Sequence, residues 1–189
     1  LEICKNYRKN YPTIEPFRQV VQGCVDSYNF FDILSSDKPD LVYVFGNGTA
    51  CVSSYQSLRL YKNQKVVVNS GCASMGYDLP AAIGACFANG KRNTICVTGE
   101  GSLQMNIQEF QTIIHHKLPI KIFVLNNAGY ISIRNTQNNF FKGHKVGSDK
   151  DSGVSFPDIV KLAKVYGFEA CRIENQLNLK KDLDKILSK

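Results

Sequence analysis

Short apolar runs alternate with amphipathic segments along most of the chain. The runs are rich in β-branched residues and apolar almost throughout, which predicts strands buried on both faces, at 41–45, 66–69, 94–98, 120–125 and 168–173. Between and after them, the pattern predicts helices at 49–60, 79–89, 103–116, 156–166 and 179–188. This alternation predicts an α/β fold, a doubly wound parallel β-sheet with helices on both faces.

The first 25 residues differ from the rest of the chain. They begin at Leu1 rather than at a methionine and hold Pro12 and Pro16 among charges, as is typical of a connector. We expect residues 1–25 to be a linker from a preceding domain of a longer protein, and residues 26–189 to form one domain. A second irregular segment, 130–157, contains glycines among charges and is predicted to be a loop that orders over substrate.

Composition places the chain among ordinary globular proteins, since 43% of its residues are hydrophobic and 21% are charged. The net charge is 23 − 16 = +7, but the basic residues form no continuous run, so we expect no nucleic acid partner. No apolar stretch reaches 18 residues, which argues against a membrane span. The seven cysteines form no Cys-x-x-Cys pair, and we expect buried free thiols in a reducing cytoplasm.

Three predicted strands end in glycines beside oxygen-bearing side chains, at residues 46–49 (Gly-Asn-Gly-Thr), 99–102 (Gly-Glu-Gly-Ser) and 126–129 (Asn-Asn-Ala-Gly). In such a sheet the ligand crevice lies beyond the carboxyl ends of the strands. A dinucleotide fingerprint is rejected because Cys51 stands at its third glycine. A phosphate-binding P-loop is rejected because Gly90 and Lys91 follow a helix.

Glu100 indicates a metal ion. The glycines around it and the helix after it favour a phosphate ligand, which a carboxylate would repel unless a cation lay between the two. Asn127 follows at 127 − 100 = 27 residues and provides an amide oxygen at the next strand end. The structural alternatives are a helix-terminal acid at 100 and ordinary turn asparagines at 126 and 127.

These residues resemble a known motif. Residues 99–102 and the pair Asn126 and Asn127 are similar to the diphosphate-binding motif of thiamine diphosphate (ThDP) enzymes, which begins Gly-Asp-Gly and ends in two asparagines. Residues 69–84 resemble the segment that precedes this motif in the acetolactate synthase group. Within that group, residues 130–137 look most like the enzymes found with surface-polysaccharide and unusual-sugar pathways. The resemblance covers roughly residues 26–175 and implies the last of about three domains, the ThDP-binding one.

The resemblance implies a role for each site residue. Glu100, Asn127 and the carbonyl of Gly129 would hold Mg²⁺, and Tyr130 and Arg134 are candidates for the substrate side. Met75 would support the bent cofactor, with a gap-filling core methionine as the alternative. The full set of expected cofactor-binding residues is Gly48, Thr49, Met75, Gly99, Gly101 and Ser102.

Glu100 departs from the motif, because the family usually has aspartate at this position. Glutamate is longer by one methylene, and Mg²⁺ tolerates little deviation from octahedral geometry. We hypothesise that the loop retracts to accept it, so that Glu100→Asp preserves or tightens cofactor binding. Asp78 also stands where the family commonly has glycine.

The implied function is that of a ThDP- and Mg²⁺-dependent 2-keto acid decarboxylase or carboligase of acetolactate synthase type. In the family a glutamate of a separate pyrimidine-binding domain, of the same or a neighbouring subunit, drives the proton transfers. No glutamate of this chain matches that motif, so we assign no catalytic residue here and expect the chain alone to be inactive. A homo-oligomer is expected, and FAD is a candidate cofactor of a middle domain.

Two other functions stay open. The chain could be the small subunit of a split 2-keto acid decarboxylase, although the linker-like residues 1–25 argue against that arrangement. It could also be a degenerate, non-catalytic binding module that has lost the metal through Glu100.

Overall fold

A computed structural model describes residues 1–14, 22–35 and 40–188. In this part of the chain, parallel strands form one sheet in the order β2-β1-β3-β4, with β1 at Val42–Phe45, β2 at Lys65–Val68, β3 at Thr94–Gly99 and β4 at Ile120–Leu125. Val42 lies beside Lys65 and Thr94, and Gly99 lies beside Leu125. The predicted parallel sheet is confirmed.

Helices precede, connect and follow the strands. They are α1 (Glu2–Asn10), α2 (Ser27–Leu34), α3 (Thr49–Ser57), α4 (Asp78–Ala88), α5 (Glu100–Gln104), α6 (Glu109–His115), α7 (Ile131–Phe140), α8 (Ile159–Val165) and α9 (Leu179–Leu187). Short 3₁₀ turns lie at Lys150–Ser152 and Gln176–Asn178.

Successive side chains of each strand enter two separate cores. Tyr43 and Phe45 pack with α2, α3 and α9, whereas Val42 and Val44 pack with α4, α5, α6 and α8. Both faces of the sheet are therefore covered, which explains why the strands are apolar almost throughout rather than alternating.

The chain order creates a crevice beside β1. The connection from β1 to β2 runs through α3 on one face, and the connection from β2 to β3 runs through α4 on the other. β1 and β3 are neighbours, so their following segments diverge to opposite faces of the sheet. Ligands of doubly wound folds bind at such a switch point.

The predicted strand at 168–173 is wrong, since this segment pairs with no strand of the described sheet. Phe168 and Ala170 pack against one core and Ile173 against the other. The segment therefore links the two faces without forming a hydrogen-bonded ladder, and its apolar residues serve packing alone.

The predicted helix at 103–116 is two helices, α5 and α6, separated at residues 105–108. Asn106 lies in this break and donates its side-chain amide to the carbonyl of Gly76, at 2.6 Å. Asparagine is a weak helix former because its side chain binds backbone groups in this way.

The predicted loop at 130–157 contains α7, which starts directly after Tyr130. This helix buries none of its residues, so its sequence lacks the apolar periodicity by which a core-facing helix is recognised.

The predicted linker at 1–25 also contains a helix, α1, all of whose residues are exposed. Glu2 in its first turn and Lys9 in its last turn suit the helix dipole. Residues 15–21, including Pro16, lie outside the described residues, and the linker assignment stays a prediction.

All seven cysteines are free, but the expectation that they are buried holds only for Cys86 and Cys96. Cys4, Cys24, Cys72 and Cys171 are exposed. Among the residues described, no helix is long and apolar enough to cross a membrane.

Candidate functional site

The two strand ends that carry the predicted metal ligands are adjacent. Gly99 and Leu125 are partners in the β3–β4 ladder, so Glu100 and the two asparagines leave the sheet side by side. Glu100 is the first residue of α5 and is only 2% exposed.

Backbone N–H groups surround the Glu100 carboxylate. Its Oε1 accepts hydrogen bonds from the N–H of Asn127 at 2.9 Å and of Ala128 at 2.8 Å. Burial raises the pKa of Glu100, while hydrogen bonds from its own N–H and from those of residues 127–129 act against that rise. The carboxylate is thus desolvated but held by dipoles that favour its charged form.

The loop that provides these N–H groups has an unusual backbone. Ala128 has φ 56° and Gly129 has φ 141°, and successive N–H groups turn toward one carboxylate, as in a backbone anion nest. A side chain at 129 would overlap with the carbonyl of Ser148, so only glycine fits. Behind the loop, the N–H of Tyr130 donates to that same carbonyl at 2.8 Å.

The segment behind the loop is itself braced. Asp149 and Ser152 form a capping box, and Lys145 pairs with Asp149 at 3.0 Å. The hydrogen bonds from Ser152 and Lys145 lower the pKa of Asp149. The loop therefore packs on a locally ordered support.

Asn127 places an oxygen atom in the site that has no partner. Its Oδ1 is buried and accepts no hydrogen bond from any described residue, an arrangement that costs free energy unless a ligand satisfies the oxygen. In the part of the chain that the structure describes, no three His, Cys, Asp or Glu side chains gather to hold a metal. One carboxylate, one amide oxygen and a backbone carbonyl form the available set, which suits a hard cation such as Mg²⁺.

The expected diphosphate turn lies beneath Tyr130. Gly101 and Ser102 are in the first turn of α5, whose N–H groups have no partner within the helix. A side chain at 101 would overlap with the Tyr130 ring, which also packs edge-on against Phe156 at 5.7 Å between ring centres. The structure therefore places Tyr130 over this turn.

The segment that carries Met75 is hydrogen-bonded to the same turn. The N–H of Gly76 donates to Ser102 Oγ at 2.8 Å, and the Gly76 carbonyl accepts from Asn106. Met75 is half-buried and belongs to neither core, which argues against its being a gap-filling core methionine. Gly48 and Thr49 lie at the start of α3, where Gly48 has φ 60°.

Arg134 is bound to the loop that carries Asn127. Both of its terminal nitrogens donate to backbone carbonyls of the loop, those of Asn127 and Ala128. Its assignment to the substrate side, like that of Tyr130, stays a prediction.

Sequence reasoning missed the roles of Asp78 and Asn106. Asp78 is fully buried at the start of α4, where its Oδ1 accepts from the N–H of Leu79 and its Oδ2 has no partner among the described residues. Together with burial, which is the larger cause, it raises the pKa of the Cys96 thiol. An aspartate at 78 followed by a proline at 80 is a signal for the start of a helix. In contrast, nothing in the sequence indicated the contact between Asn106 and Gly76.

Comparison with known proteins gives a consistent result. The model of the family described as thiamine pyrophosphate enzyme, C-terminal TPP binding domain, matches residues 46–189. The acetolactate synthase large subunit of Cyanidium caldarium is 41% identical over 124 residues, which cover 66% of this chain and 21% of that protein. That of Porphyra purpurea is 32% identical over 177 residues, 94% of this chain and 29% of that protein.

A bacterial relative extends the comparison. The acetolactate synthase isozyme 1 large subunit of Escherichia coli K12 is 31% identical over 134 residues, 71% of this chain and 23% of that protein. The chain therefore spans less than a third of the length of these relatives.

Proposed function

Because the chain belongs to the family of C-terminal TPP-binding domains of thiamine pyrophosphate enzymes, we propose that it binds ThDP through a divalent cation within an acetolactate synthase-type enzyme. One observation carries this proposal. Two buried oxygen-bearing side chains, those of Glu100 and Asn127, lie at adjacent strand ends, and the Asn127 Oδ1 has no hydrogen-bond partner in the part of the chain that the structure describes. No lysine, arginine or histidine side chain among the described residues pairs with either of them.

The proposed metal ligands are Glu100, Asn127 and the carbonyl of Gly129, with Mg²⁺ as the ion. Mg²⁺ commonly binds one or two carboxylates together with substrate phosphates, which matches a single carboxylate beside a diphosphate. The Oε1 atom of Glu100 is used by backbone N–H groups.

The cofactor would lie across the switch-point crevice. Backbone groups of Gly48, Thr49, Gly99, Gly101 and Ser102 would bind the diphosphate, since first-turn N–H groups of helices favour anions. Met75, held through Gly76, would support the cofactor from its apolar side. When bound, ThDP supplies the electron sink for decarboxylation of a 2-keto acid, while the protein binds and orients it.

Further parts of the proposal concern the whole enzyme. The names of the similar proteins indicate acetolactate synthesis, so we infer a small 2-keto acid as substrate. The residue that moves protons would come from a pyrimidine-binding domain, in a homo-oligomer. We assign no catalytic residue to this chain.

Calorimetric titration of ThDP into the protein, with Mg²⁺ and then with a chelator, tests the proposal. We expect binding only with the metal, and Asn127→Ala should weaken it by about tenfold or more because a metal ligand is lost. Asn139→Ala removes an exposed asparagine of α7 and is the matched control. ThDP binding that is the same with chelator, or unchanged in Asn127→Ala, would contradict the proposed metal site.

A further inference from the structure

Both terminal nitrogens of Arg134 contact the backbone of the 127–129 loop. Its Nη2 donates to the carbonyl of Asn127 at 2.8 Å and its Nη1 to the carbonyl of Ala128 at 2.9 Å. Within residues 1–14, 22–35 and 40–188, no carboxylate pairs with this guanidinium. A half-buried arginine is thus engaged with two consecutive peptide groups instead of an acid.

The same two peptide groups contact Glu100 from their other ends. The carbonyl of Asn127 shares its peptide group with the N–H of Ala128, which is 2.8 Å from Glu100 Oε1. The carbonyl of Ala128 shares its peptide group with the N–H of Gly129, which is close enough to the Glu100 carboxylate to act against the rise of its pKa. The 127–128 peptide group therefore joins the guanidinium to the carboxylate by a hydrogen bond at each end, and hydrogen bonds in such a chain polarise one another.

The backbone between these charges needs support. Ala128 is a non-glycine residue at φ 56°, a conformation that persists only where the surroundings determine it. Hydrogen bonds to Arg134 on the carbonyl side and to Glu100 on the N–H side help to hold the backbone in this conformation. Rotation of the 127–128 peptide group would break a charge-assisted hydrogen bond at both ends, to Arg134 Nη2 and to Glu100 Oε1.

We propose that Arg134 is a positioning residue, which holds the 127–129 loop so that Asn127 Oδ1 and the Gly129 carbonyl can bind the cation. This inference rests on the proposed function for the identity of the ligand. It replaces the expected role of Arg134 in substrate binding. The guanidinium sets the loop and touches neither metal nor substrate.

The first test uses the cofactor-free protein. Hydrogen–deuterium exchange of the amides of Ala128 and Gly129 should be at least about tenfold faster in Arg134→Ala than in the unaltered protein, because the peptide groups lose their carbonyl anchor. Arg172→Ala is the matched control, since Arg172 contacts only Asp158 and Glu174 in the described surface ion pairs. Unchanged exchange in Arg134→Ala would overturn the inference.

The second test measures ThDP affinity as a function of Mg²⁺ concentration. Arg134→Ala should weaken metal-dependent ThDP binding by about 10- to 100-fold, as loss of a residue that orients metal ligands does. Arg134→Lys should be intermediate, because one ammonium cannot replace a planar fork on two carbonyls. Melting temperatures of the variants identify any general loss of folding.

The outcomes separate the two proposals. ThDP affinity that is unchanged in Arg134→Ala at every Mg²⁺ concentration would show that Arg134 does not position the metal ligands and would overturn the inference. Absence of ThDP binding by the unaltered protein with Mg²⁺ would overturn the proposed function, whereas the exchange measurement would still decide whether Arg134 holds the loop.

Discussion

At the scale of single residues, Glu100 dominates the electrostatics of the site. Its carboxylate is removed from water, and in the part of the chain that the structure describes backbone N–H groups balance its charge, with Arg134 acting from the far side of two peptide groups. Desolvation is the larger effect, because the pKa of Glu100 is raised despite those hydrogen bonds. A divalent cation would relieve this unfavourable desolvation, which makes the site suited to bind one.

The metal-free protein should become less stable as pH rises across the titration of Glu100. Because the pKa is raised from 4.5 on folding, the folded state retains a proton that the unfolded chain has released. The stabilising contribution is therefore complete below pH 4.5 and is lost as pH rises through the folded pKa. Glu100→Gln lacks this titration. The free energy of unfolding of the variant minus that of the unaltered protein should therefore increase as pH rises through this window.

Urea unfolding at several pH values with a chelator present measures this difference. Both proteins share every other titrating group, so their difference isolates Glu100. A constant difference across the window would show that the carboxylate does not have a raised pKa.

At the scale of elements, the start of α4 and the end of β1 fit closely around Asp78 and Gly46. The Oδ2 of Asp78 lies where a β-carbon on Gly46 would stand. α4 also carries Leu79 and Ala82 into the core against β1 and β3, so it cannot shift freely. The glycine after β1 is therefore explained by packing as well as by ligand access.

Gly46→Ala should destabilise the protein by about 1–3 kcal/mol, because an added methyl overlaps with a buried carboxylate on a fixed helix. Gly71→Ala is the control, since a β-carbon there meets nothing within 4 Å. Thermal or urea unfolding of both variants gives the comparison. Equal stability of the two would mean that α4 moves easily away from β1.

At the scale of the whole molecule, the chain corresponds to only part of the proteins that it resembles. It covers 21% to 29% of the similar acetolactate synthase subunits. The residues that we propose to bind the metal and the diphosphate follow the carboxyl ends of β1, β3 and β4. We assign no group that acts on the substrate to these strand ends.

The purified 189-residue chain should therefore show no steady turnover of a 2-keto acid when ThDP and Mg²⁺ are supplied. The expected reason is the lack of the pyrimidine-binding domain and of its proton-transferring glutamate. Release of carbon dioxide from the 2-keto acid is the measurement, with buffer lacking the chain as the blank. A sustained rate above that blank would contradict the assignment of catalysis to another domain.

The sequence alone determined the strand and helix alternation, the two-faced burial of the strands, and the strand-end residues Glu100 and Asn127. These follow from local apolar patterns and from the rule that parallel strands end at one edge. The segment at 168–173 shows the limit of such patterns, since packing and strand pairing favour the same apolar residues.

Only the tertiary structure decided what the side chains of the site contact. Arg134 could have faced solvent, substrate or loop, and its direction depends on where α7 lies relative to residues 127 and 128. Asn106 breaks a predicted helix to reach Gly76, 30 residues away along the chain. Such contacts form between segments distant in sequence, so no local pattern encodes them, and the relative positions of packed elements determine them.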